Sequence, residues 1–156
     1  MEAIERQLQE SGVFMQYQLI HRHYLDIVNH ATDADERVEA LKRVIFLNWY
    51  SQVEPSCFTG ISGLDDSLMR SSYKQLDTLI KNRQFDQEFT WMLSFYCSWD
   101  YVLLPYIDES LVEIRRFIDT VDNDSLHVPE RRFAKGTMDK RGQMGLYWKS
   151  MRVEKE

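Results

Sequence analysis

The amino-acid sequence predicts an all-α fold, a single-domain bundle of about five helices, and three observations carry that prediction. Apolar residues recur at helical spacing along most of the chain, while the alternating pattern of strands is nearly absent. Three prolines and six glycines are spread over 156 residues, so long elements run without breakers. Hydrophobic residues make up 44% of the chain and aromatics 13%, enough apolar surface to offset the entropy of ordering one core.

The first helix is expected over about residues 12–31, where Val13, Tyr17, Ile20, Tyr24, Ile27 and Ala31 form one apolar stripe. Asp33 and Glu36 have the spacing of a capping box and open a second helix reaching about Val53. Its later half, Val44 to Tyr50, is apolar nearly all round, which places it centrally. Glu54 and Pro55 stop it, because proline disfavours the α conformation in the residue before it. The connector from Pro55 to Gly63, with one proline and two glycines, is expected to be irregular. Met69, Tyr73, Leu76 and Ile80 mark a third helix over about 65–82. Asp86 caps a fourth, whose stripe runs from Phe89 through Met92, Tyr96 and Trp99 to Leu103, ending at Pro105. Asp108 or Ser110 starts a fifth, facing Leu111, Ile114, Ile118 and Val121 inward. The second and fourth helices should be the most buried.

The stretch from Phe89 to Ile107 has the length of a membrane span but contains Asp100, Thr90, Ser94, Ser98 and Pro105, which favours a buried helix and no membrane association. The start of the chain has no basic run followed by an apolar one, as a secretory signal would require. Cys57 and Cys97 form no CxxC and lack a histidine at ligand spacing, which fits reduced thiols and a cytoplasmic location. No cofactor motif occurs: Gly60 to Gly63 lacks the P-loop lysine and is followed by Asp65 and Asp66, which repel phosphate.

Two sets of side chains are candidates for chemistry. His23, Asp26 and His30 share a face of the first helix at three- and four-residue spacing, the chemistry of a transition-metal site. The di-iron bundle pattern is missing, because the chain has no Glu-x-x-His. Glu54 and Asp100 are candidates for an interior polar site, Asp100 because it sits between Trp99 and Tyr101 in an apolar run. An enzyme, metal-dependent or metal-free, assembled from these five residues is the alternative functional reading.

The strongest pointer is a step in charge. Residues 1–129, the expected helical domain, carry 11 Lys/Arg against 21 Asp/Glu, while residues 130–156, a partly irregular extension with one short helix near 146–153, carry 8 against 4. Arg131, Arg132, Phe133, Lys140, Arg141, Tyr147 and Trp148 interleave cations with aromatics. Such a tail reads as a docking element for its own body, a neighbouring subunit or a protein partner. Nucleic-acid binding is a further alternative, opposed by the acidic remainder and a pI near 5.3. The expectation is a non-enzymatic interaction or assembly protein, oligomeric if the tail docks between subunits.

Overall fold

The computed structural model describes residues 16–121 and 132–156, and among these the fold is all-helical. Eight α-helices replace the five expected. They are α1 (Gln16–His30), α2 (Ala34–Val53), α3 (Ser56–Thr59), α4 (Asp66–Lys81), α5 (Gln87–Cys97), α6 (Asp100–Leu103), α7 (Val112–Thr120) and α8 (Gly142–Ser150), with a 3-10 turn at Leu104–Tyr106 between α6 and α7. None is long and apolar enough to cross a membrane.

α2 is the axis of the molecule. Every residue from Ala40 to Trp49 is buried, because α1, α4 and α5 all pack against it. Asp33 caps it as the sequence predicts, accepting from the Glu36 N–H at 2.9 Å. Asp65 and Asp86 do the same for α4 and α5. The connector after α2 is partly ordered as α3, which Gly60 closes at φ 71°.

Two departures from the predicted elements have local causes. The stripe from Phe89 to Leu103 is not one helix. The Ser98 hydroxyl donates to the Phe95 carbonyl at 2.6 Å, and the Trp99 N–H closes on Tyr96 three residues back, so the turn tightens and α5 ends at Cys97. Asp100 therefore lies in the first turn of a new helix, half-buried. The start of α7 is not capped from its own strand of sequence either. Asp108 is occupied in a turn with Ser110, and it is Asp77, on α4, whose Oδ1 accepts from the Glu113 and Ile114 N–H groups at 2.9 and 3.0 Å. That tertiary cap also fixes how α7 lies on α4.

Three buried polar side chains tie α1, α2 and α4 together. His21 Nε2 lies 2.7 Å from Asn48 Oδ1, Asn48 Nδ2 donates to Ser72 Oγ at 2.8 Å, and the Ser72 hydroxyl donates to the Met69 carbonyl at 2.7 Å. Read back from that carbonyl, each donor has one acceptor, which assigns the proton of His21 to Nε2. Nδ1 is left buried and, among the described residues, without a hydrogen-bond partner. Burial pushes the His21 pKa below its ordinary value of 6.5, outweighing the bond to Asn48.

Asp77→Ala is expected to cost about 1–2 kcal/mol in a urea titration, the worth of a helix cap, and Asp108→Ala less. For His21 the folded state resists a proton that the unfolded state accepts. Its contribution is complete above pH 6.5 and falls as the pH drops toward the lowered folded-state value. The urea midpoint should fall less between pH 7 and pH 5.5 in His21→Gln than in the wild type.

Candidate interaction site at the C-terminal segment

Residues 132–156 form a closed unit. The Phe133 N–H donates to the Val153 carbonyl and the Lys155 N–H donates to the Phe133 carbonyl, both at 2.8 Å, so the two ends are stapled together. Inside the loop Glu154 accepts from the Met138 N–H, and Lys149 pairs with Asp139. α8 begins four residues earlier than the sequence suggests, after a turn in which Lys140 and Gly142 have φ of 58° and 57°. The second glycine, Gly145, serves packing. A Cβ built there would stand 2.3 Å from the Met138 carbonyl oxygen, so only glycine lets the turn close on the helix.

The unit rests on α2 and α5 through a network of three cations and three carboxylates. Arg141, 9% exposed, grips Glu39 in a bidentate contact through one edge of its guanidinium, Nε to Oε1 at 2.9 Å and Nη2 to Oε2 at 2.5 Å. The same Nη2 reaches Glu88 Oε1 at 2.8 Å. Glu88 is shared with Lys42, which also holds Asp86 at 2.6 Å. Arg43 completes the set, bonding Glu39 at 2.8 Å and the Lys140 carbonyl at 3.2 Å. Desolvation pulls the Glu88 pKa upward, yet the bonds from Arg141 and Lys42 outweigh it and hold it below the ordinary value. Asp86 is held low in the same way by Lys42 and the Phe89 N–H. Glu39 and Arg43, four residues apart, were pairable from sequence; the signal for the rest was two cations, Lys42 and Arg43, inside the most buried helix.

Beside the network lies an aromatic floor. Trp148 is 0% exposed, packed on Trp91, Phe95 and Tyr96 at ring separations of 4.7, 5.0 and 5.9 Å, and its Nε1–H donates to the Tyr96 hydroxyl at 3.3 Å. Tyr147, half-buried, covers Phe46, Trp49 and Tyr50. Phe133 packs edge-on against Trp91, and the exposed Arg132 places its guanidinium 5.5 Å from the same ring. Met138, Met144, Trp148 and Val153 belong to the same hydrophobic core as the body helices.

The other sequence candidates fall elsewhere. Arg131 lies outside the described residues. The Lys140 side chain is exposed; its backbone carbonyl makes the contact. Glu54 is exposed at the end of α2 and Asp100 is half-buried, so the expected interior polar site does not form: Pro55 turns Glu54 outward at the surface, and the break after Cys97 takes Asp100 off the buried stripe. On α1, His30 Nδ1 is engaged 2.8 Å from the Asp26 carbonyl, Asp26 is exposed and His23 half-buried. Among the described residues no group of three or more His, Cys, Asp or Glu is placed to hold a metal ion, so His23, Asp26 and His30 do not assemble one. Cys57 is an exposed free thiol, whereas burial pushes the Cys97 thiol up to about 12 and makes it inert. Comparison with protein-family models, curated proteins and solved structures finds no match to this chain.

Gly145→Ala should raise intrinsic helix propensity by about 1 kcal/mol yet destabilise the protein, since the close carbonyl imposes an overpacking cost of about 1–3 kcal/mol. A fall in the thermal midpoint is the expected reading; a rise would show that the contact relaxes freely.

Proposed function

We propose that the chain is a non-enzymatic interaction or assembly protein whose C-terminal segment acts as a docking element. The observation that carries this reading is the pairing of a bidentate arginine, Arg141, with a fully buried tryptophan, Trp148, seven residues apart on one segment. An aromatic anchor in a desolvated pocket beside a geometrically specific ion pair is the usual make-up of a recognition hot spot. The charge step supports it as well, because a basic unit resting on an acidic body is steered and held in register by complementarity. Free thiols at Cys57 and Cys97 fit a reducing, cytoplasmic setting.

Nucleic-acid binding is less favoured. A cationic surface serves phosphate when its charges face solvent, but Arg141 is committed to Glu39 and Glu88, Lys149 to Asp139, and the aromatic Trp148 is beneath the surface rather than offered for base stacking.

The test compares three substitutions. Trp148→Ala should cost about 3–5 kcal/mol, as aromatic truncation in a core does, while Arg132→Ala and Lys140→Ala change stability by less than about 1 kcal/mol. Thermal denaturation and titration with single-stranded RNA over a range of salt are the measurements. Unchanged stability in Trp148→Ala, together with a salt-dependent RNA affinity lost in Arg132→Ala and Lys140→Ala, would overturn the reading.

A further inference from the structure

Glu54, to which the docking reading gives no role, stands beside two tyrosines. It closes α2 with its N–H bonded to the Tyr50 carbonyl at 3.1 Å, so Glu54 and Tyr50 sit one turn apart on the same side of the helix. Tyr147 reaches them from α8, its ring 5.1 Å from that of Tyr50 at an interplanar angle of 59°. Phe46 lies 5.0 and 5.6 Å from the Tyr50 and Tyr147 rings, and Trp49 lies 5.9 and 5.4 Å from them. Phe46 and Trp49 are buried and close the inner side of this corner, whereas Tyr50 and Tyr147 are half-buried and bring its outer side to solvent. Gln143 is hydrogen-bonded to the Tyr50 hydroxyl and accepts from the Tyr17 hydroxyl at 3.2 Å, which holds the first turn of α8 against the corner.

The charge at the corner is negative. Glu54 is exposed and, among the described residues, makes no ion pair. Burial raises the pKa of both tyrosine hydroxyls and the Glu54 carboxylate adds to the rise in each, so its charge is felt at both, and both remain neutral phenols at neutral pH. We infer that Tyr50, Tyr147 and Glu54 form a binding site for an alkylammonium group, carried by a small quaternary ammonium compound or by a lysine side chain. The ring faces attract the cation through their quadrupoles, and the Glu54 carboxylate neutralises it at the solvent edge. Two walls meeting at 59° suit a rounded ammonium, whereas a planar guanidinium is better served by a flat stacking face or a bidentate carboxylate. The inference stands apart from the docking reading, because the C-terminal segment supplies one wall of the site and is not its ligand.

The full-length protein is titrated with choline chloride and, separately, with N-acetyl-lysine methylamide, against sodium chloride at the same ionic strength, while aromatic NMR signals are followed. The expected result is a saturable shift of the Tyr50 and Tyr147 ring signals with at least one ammonium probe and none with sodium, while the Trp91 signals stay in place. Preference for choline assigns a small quaternary ligand and preference for the lysine amide a protein side chain, and either supports the site. Tyr50→Leu should weaken binding by about threefold or more, the loss of a cation–π partner. Glu54→Gln should weaken it by about twofold or more, and because that side chain is exposed the variant decides the matter if Tyr50→Leu does not fold. The uncharged analogue of choline, 3,3-dimethyl-1-butanol, should bind more weakly than choline. Shifts that neither ammonium probe saturates, equal binding of the uncharged analogue, or unchanged affinity in Glu54→Gln would each overturn the assignment.

Discussion

The arrangement depends on one side chain, Arg141, closing a charge network that α2 and α5 leave open. Without it, Glu39 and Glu88 would face each other across a partly buried gap with Lys42 and Arg43 alone to neutralise them. Ion pairs removed from water return little net stability, because desolvation consumes most of the Coulombic gain, but their geometry is exacting. The fork on Glu39 permits one orientation of the segment, and that orientation sets Trp148 over Trp91, Phe95 and Tyr96. Packing energy then comes from the tryptophan and register from the arginine.

This division of labour explains why α2 carries charges in the middle of the molecule. Lys42 and Arg43 are 5% and 6% exposed in a helix whose neighbours are Leu41, Val44 and Ile45. In a helix surrounded only by apolar partners they would be costly. Their aliphatic stems line the core, while their heads meet Asp86 at the cap of α5, Glu88 on α5, Glu39 and the Lys140 carbonyl. The same logic operates at smaller scale in the His21, Asn48 and Ser72 chain, which fixes α1 and α4 to α2 by a fully directional sequence of donors and acceptors.

Much of the helical body was legible from residues alone, where the cause is local. Asp33 and Asp86 cap the helices they precede, Pro55 follows the end of α2, and the apolar run of α2 is buried throughout. One locally caused expectation failed because a second local effect intervened. Ser98 ended α5 by bonding its own carbonyl turn, a competition that an apolar stripe does not reveal. The metal and interior-site candidates failed for a related reason: spacing aligns His23, Asp26 and His30 on a face, but whether a face turns to a partner or to solvent is decided by packing.

By itself, then, the sequence determined the helical class, the burial of the second and fourth predicted helices, and the charge contrast between body and C-terminal segment, since each follows from periodicity, capping or composition over a few neighbouring residues. Only the tertiary structure decided that Asp77 caps a helix thirty-six residues away, that Gly145 is required by a carbonyl rather than by a turn, and that Arg141 belongs to Glu39 and Glu88. Those pairings join groups far apart in the chain, and a hydrogen bond or ion pair between such groups depends on distance in space, for which separation along the sequence carries no signal.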